Sequence, residues 1–236
     1  MKDYTFAFNI FDILAYIFVE FLFWLIVLVP TEITPDFFFS SALFSYHFTY
    51  IQIPFVLLVA YISGHIIAHF GSLFLEKGII AKILNYPSTN FFRIISDNSA
   101  SKPNRFFKNY TAAYPEQLAT KIKDAYEQIT SIKFNHYDAF MFCFHYVKDK
   151  SPTTYSRLLI FLQLYDFCRN VSMMFFFCSF ILLYFSIFEY PNLYILSIVL
   201  FLLSYLFFLR YLKFFRLYGD EVFRSFYNLY LLERSK

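Results

Sequence analysis

Two carboxylates, Asp12 and Glu20, stand eight residues apart in an otherwise apolar run, with Tyr16 midway between them. At helical pitch all three share one face. A second apolar run carries Gly64, then His65, His69, Ser72 and Glu76 at three- and four-residue steps, again one face. Carboxylate and imidazole together support three kinds of chemistry. They can pair as polar packing contacts, relay protons or ions, or, with histidines at i and i+4, hold a metal. The helix of a zinc hydrolase would carry a glutamate directly after its first histidine, whereas Ile66 stands there.

These residues are costly where they lie. Four long apolar stretches, about Ile10 to Val29, Ile51 to Leu75, Val171 to Phe188 and Leu193 to Leu209, approach the ~17 to 25 residues that cross a bilayer. A carboxylate at the centre of such a helix costs ~2.5 to 3.5 kcal/mol, so it faces protein or water. If the first two spans run antiparallel, Glu20 lies level with Tyr61 to His65, and Asp12 with Ala68 to Leu73. Two contacts are therefore expected, Glu20 with His65 and Asp12 with His69, and Glu76 completes the polar cluster. Gly64 and Gly71 would let a neighbouring helix approach closely.

The 20 lysines and arginines fix an orientation: 1 precedes the first span, 13 lie between the second and third, 6 follow the fourth, and neither remaining loop has any. Both termini are then cytoplasmic. With 59% hydrophobic and 16% charged residues, the chain is too apolar for an ordinary soluble domain. The first run is long, acidic in two places and lacks a small-residue cleavage site, so it is expected to remain as a span. The fold class expected is all-α, a polytopic membrane protein with four transmembrane helices and a small helical cytoplasmic module. Its parts are a first hairpin (1–75), the module (76–170), a second hairpin (171–209) and an amphipathic cytoplasmic tail (210–236).

Within the module, Pro115 to Ile132 reads as a helix with Pro in its first turn. Asp138 to Val147 reads as a second, and Pro152 opens a third that runs into the third span. Pro87 to Asn90 and Asp97 to Asn104 read as turns or linker. The tail repeats charges every three or four residues, and Gly219 is a candidate interruption. A symmetric second hairpin would set Asp166 near Arg216, so an ion pair from Asp166 to Lys213 or Arg216 is expected. The aromatic loop from Asp36 to Tyr50 is expected in the outer interface.

The module's surplus of positive charge suits anionic head groups or an anionic ligand. Arg105, Lys108, Lys121 and Lys123, flanked by aromatic residues, are the candidate anion or nucleotide contacts. Cys143 and His145 are two apart and point to different sides of a helix, which disfavours a nucleophilic pair. Cys143, Cys168 and Cys178 read as free buried thiols. With 4 glycines in the chain, there is neither a phosphate-binding loop nor a nucleophile elbow. No catalytic residue, metal ligand or cofactor is assigned.

The run Gly64-His65, His69, Ser72, Glu76 and Tyr86-Pro87-Ser88, with the later Leu164-Tyr165-Asp166-Phe167-Cys168-Arg169-Asn170, resembles a group of uncharacterised bacterial four-span membrane proteins. More loosely, the architecture is similar to that of membrane components of bacterial anti-phage systems, which assemble as oligomers and act on or sense the membrane. This resemblance implies a homo-oligomeric, channel-like effector or membrane sensor in the bacterial inner membrane, with the lipid bilayer and a cytoplasmic protein or nucleotide as partners. The alternatives are an intramembrane metal-dependent hydrolase and a non-catalytic membrane anchor for a soluble partner.

Overall fold

The computed structural model describes residues 13–28, 52–93, 105–188 and 190–235. Every regular element among them is helical. A π-helical stretch, π1 (Ile13–Phe18), leads into α1 (Val19–Leu28). Helix α2 (Gln52–Gly71) continues as a second π-helical stretch, π2 (Ser72–Leu84). Short helices α3 (Pro87–Phe92) and α4 (Lys108–Thr111) precede α5 (Glu116–Thr130) and α6 (His136–Lys150). Two long helices follow, α7 (Pro152–Phe188) and α8 (Leu193–Arg234). Among the described residues, three helical stretches are long and apolar enough to cross a membrane, Pro54–Phe92, Pro152–Phe188 and Leu193–Arg234, and Ala15–Val27 is a shorter apolar helix.

Local chemistry accounts for the helix ends. Pro115 stands before α5, where its missing N–H costs nothing, and the carbonyl of Pro115 accepts from Leu118 and Ala119. The helix stops at Ser131, which is left-handed at φ 56° and donates its N–H to Glu127 O at 2.9 Å. Asn135 caps α6 by accepting from the Tyr137 N–H at 3.2 Å.

The chain forms two compact units. The first comprises residues 1–75 and 166–210, the second residues 76–165 and 211–236. The sequence reading separates the tail from the 76–170 segment, whereas the structure builds both into the second unit. Its core takes Phe91 and Phe92 from α3, Ile122 and Tyr126 from α5, Cys143 and Val147 from α6, Leu158 from α7, and Val222, Phe223 and Phe226 from α8. The first unit's core draws on α1, α2, α7 and α8 through Val19, Ile67, Met174, Cys178, Leu182 and Leu200.

Two local expectations change. Pro87 to Asn90 is helical rather than a turn, because Asn90 donates its side-chain amide to Leu84 O at 2.9 Å and its N–H to Tyr86 O at 3.0 Å. Gly219 does not interrupt α8. It is buried there, and a Cβ on it would come within 3.1 Å of Pro87 Cβ and of the Phe91 ring, so glycine makes room for α3.

Candidate functional site

The polar centre of the first unit begins where π1 meets α2. A Cβ on Gly64 would lie 2.5 Å from the Tyr16 carbonyl oxygen, so the two backbones are in direct contact. Tyr16 stacks on His65 at 4.3 Å and 21°, and Tyr61 meets the same imidazole edge-on at 4.5 Å. Glu20 is 1% exposed, and its Oε2 has no hydrogen-bond partner among the described residues. Ser63 and Trp24 flank its carboxyl. The expected Glu20–His65 contact is therefore replaced by Glu20 beside Ser63 and His65 between two tyrosines. The reason is rotational: Ser63 and His65 stand two residues apart on α2, so with Ser63 beside Glu20 the His65 ring meets Tyr16 and Tyr61 instead. His69 is exposed as well. Its expected partner Asp12 lies outside the described residues, as does the loop from Asp36 to Tyr50. Glu76 is half-buried on π2, in the second unit.

Further along α2 the first unit holds a buried charge. Arg169 on α7 is 8% exposed, and its Nη2 lies 3.0 Å from Asp166 Oδ1. Its Nε donates to Asn170 Oδ1 at 3.3 Å, and Asn170 Nδ2 donates to the Ala15 carbonyl in π1, also at 3.3 Å. Gly71 makes way for the arginine stem, since a Cβ there would lie 3.3 Å from Arg169 Cγ. One run of three polar residues thus ties α7 to π1 and α2. The sequence reading placed Arg169 and Asn170 in a motif but assigned them no role. The available signal was an Asp-x-x-Arg-Asn step at the edge of an apolar span.

The helices α7 and α8 also carry a serine ladder, absent from the expectations drawn from the sequence. Ser172 and Ser204 exchange side-chain-to-carbonyl hydrogen bonds, and Ser197 donates to Ser179 O at 2.7 Å. In this register Asp166 stands level with Arg210, more than a turn short of Arg216.

In the second unit, Arg216 Nη1 donates to the carbonyls of Tyr110 and Ala112 at 2.7 and 2.8 Å, and its guanidinium lies over Phe91 at 4.8 Å. The acceptors recorded for Arg216 are thus backbone oxygens, not the expected carboxylate, and Lys213 is exposed. Phe91 stacks on Tyr114 at 4.4 Å, and Arg224 lies over the Tyr114 ring while donating to Asp220 at 2.8 Å. Tyr110 donates its hydroxyl to the carbonyl of Asn85, a left-handed residue at φ 60°. Burial pushes both tyrosine hydroxyls up, and Asp220 adds to the effect at Tyr114.

The candidate anion contacts lie on three elements. Arg105 begins a 3₁₀ turn (Arg105–Phe107), Lys108 and Lys121 are exposed, and Lys123 is half-exposed. Lys121 and Lys123 are two apart on α5 and point to different sides. Burial pushes the Cys143 thiol up, which opposes the thiolate a nucleophile needs, and burial pulls His136 down. All three cysteines are free and buried. Among the described residues, no three His, Cys, Asp or Glu side chains come together as metal ligands. No family model, curated protein or solved structure matches the chain.

Proposed function

We propose that the chain is a four-span protein of the bacterial inner membrane, with both termini cytoplasmic, that assembles with copies of itself as a channel-like effector or membrane sensor. Residues 76–165 and the end of α8 form its cytoplasmic control module. The observation that carries this reading is that α7 and α8 run without a break from one compact unit into the other. Leu158 on α7 and Val222, Phe223 and Phe226 on α8 are core residues of the second unit, while Met174 and Leu200 on the same helices are core residues of the first. Control of the spans by a module needs such continuity of chain between the two. The signal read by a sensor or gated effector of this kind would be a ligand or partner bound by the module. Within an anti-phage system, such a ligand would be a nucleotide or a cytoplasmic protein.

The test is ion flux from anionic liposomes holding the full chain, alongside its oligomeric state by native mass spectrometry. Flux altered by replacing Arg216, a module residue remote in sequence from both hairpin loops, supports the reading. A monomer, or no flux under any condition, counts against the channel form.

A further inference from the structure

Helix α2 turns a mixed stripe outward. Ile62 is 52% and Ile66 53% exposed, and His65 and His69 are exposed beside them. Steps of three and four residues make this one face. Its isoleucines suit hydrocarbon, but its imidazoles do not. Tyr16 stacks on the His65 ring and Tyr61 meets it edge-on, and the His65 nitrogens have no hydrogen-bond partner among the described residues. His69 meets Phe70, its neighbour in sequence, at 6.4 Å and likewise has no such partner there. His65 lies about 20 Å along the helix from Gln52 at 1.5 Å per residue, well inside the apolar stretch. Ionisable side chains at that depth are satisfied by protein or water.

The outward face of α8 differs, since Ile195, Val199, Leu202 and Leu206 are exposed and wholly apolar. That composition is at home in lipid. The α2 stripe instead matches itself. An uncharged imidazole carries one donor and one acceptor, and the stripe has neither a carboxylate nor a lysine to repel its own copy. A second chain in the same orientation brings the same two imidazoles to the same depth.

We propose that the outward stripe of α2, Ile62, His65, Ile66 and His69, is the surface on which a second copy of this chain docks. The imidazole edges exchange hydrogen bonds across the contact, and the isoleucines pack around them. The proposal rests on the oligomeric reading above and adds the face through which it is achieved.

Single cysteines at Ile62, Ile66 and His69, and comparison cysteines at Leu202 and Leu206, are introduced into the full chain in liposomes and oxidised. The unaltered chain, whose own cysteines are buried, serves as the control. Dimers are expected at the α2 positions in several-fold greater yield than at the α8 positions. In a second measurement, His69→Leu is expected to weaken association about three- to twentyfold, the range of single interhelical hydrogen bonds in membranes, while His69→Gln retains it. An oligomer by native mass spectrometry that crosslinks on α8 and not on α2 overturns this face and leaves the oligomeric reading standing. A monomer overturns both. Labelling of the whole stripe by membrane-impermeant thiol reagents without crosslinking also overturns it, assigning the stripe to water instead.

Discussion

Ser172 and Ser204 hold α7 and α8 together by a reciprocal exchange. Ser172 Oγ donates to the Ser204 carbonyl at 2.9 Å and Ser204 Oγ to the Ser172 carbonyl at 2.8 Å. Ser179 and Ser197 repeat the contact two turns away, where Ser197 Oγ donates at 2.7 Å. All four serines are buried. A small side chain at each crossing lets the backbones approach within reach of a hydroxyl, and the seven-residue repeat keeps the serines on the seam. Ser204→Ala removes one hydroxyl and is expected to cost about 0.6 kcal/mol, at most ~1.7. Ser204→Leu must separate the helices, and about 1 to 3 kcal/mol is expected. Thermal unfolding in detergent followed by circular dichroism ranks the two, and a leucine variant as stable as the alanine one would refute a close-packed seam.

The two glycines of the first hairpin separate backbone contact from side-chain contact. A Cβ at Gly64 meets the Tyr16 carbonyl oxygen at 2.5 Å, and neither partner can rotate away. At Gly71 the nearest atom is the flexible Arg169 Cγ, at 3.3 Å. Gly64→Ala should therefore destabilise by about 1 to 3 kcal/mol, and Gly71→Ala by distinctly less. The check is the order of the two in denaturant titrations, together with loss of the Tyr16–His65 stack in Gly64→Ala.

In the first hairpin depth was legible in the sequence, and rotation was not. Counting along antiparallel helices set Glu20 against Tyr61 to His65, and Ser63, within that range, is the residue beside its carboxyl. Which residue of a turn faces inward depends on local helix geometry. Because π1 and π2 depart from 3.6 residues per turn, faces drawn with that period drift along them. In the second hairpin it is the depth count that fails. A symmetric turn sets Asp166 near Arg216, but here Tyr190 donates to Phe185 O and Leu193 to Tyr190 O, and the serine ladder shifts the register toward Arg210. Helix α5 was readable to within two residues at each end from its proline and apolar stripe, whereas α6 begins two residues before and ends three residues after the expected Asp138 to Val147. The association of α8 with α3, α5 and α6 rests on long-range contacts such as Gly219 against Pro87, which no local pattern records.

Removing one partner of a buried ion pair leaves the other charge uncompensated. Asp166 keeps 30% side-chain exposure against 10% for Arg169, so the aspartate can recover some hydration. Arg169→Met is accordingly expected to cost about 2 to 3 kcal/mol, below the ~3 to 5 typical of fully buried pairs. The double variant Asp166→Asn with Arg169→Met should recover part of that loss. A double-mutant cycle on thermal stability measures the coupling, and strict additivity would mean that the two side chains do not act as a pair.

Tyr146 gives the second unit an alkaline limit. Burial, and then its hydrogen bond to Glu233, push its hydroxyl up to about 12 from the usual 10. The folded state therefore holds this proton more tightly than the unfolded chain does. Its contribution is complete below pH 10 and falls away as pH rises toward about 12. Tyr110 and Tyr114 are shifted in the same direction, so the full chain is expected to lose stability steeply above pH 10. Tyr146→Phe should flatten that fall without abolishing it. Unfolding midpoints measured from pH 8 to pH 12 decide this, and an unchanged slope would remove Tyr146 from the account.

Arg216 is the clearest single support of the segment leading into α5. One guanidinium nitrogen holds the carbonyls of Tyr110 and Ala112, and the guanidinium carbon lies over Phe91, which itself stacks on Tyr114. A lysine can keep the charge, but its single ammonium cannot lie over the ring and reach both carbonyls at once. Arg216→Lys is therefore expected to retain less than half of what Arg216→Ala loses, and the alanine change to cost about 1.5 to 3 kcal/mol, as for hydrogen bonds from a charged donor. Hydrogen exchange locates the effect. Amides of α4 and of residues 112–115 should lose protection in both variants, whereas the amides of α5 beyond its first turn, held by the core around Ile122 and Tyr126, should keep theirs. Equal loss of protection throughout α5 would mean that Arg216 supports the whole unit rather than this segment, and that the segment has no separate freedom through which a ligand could act.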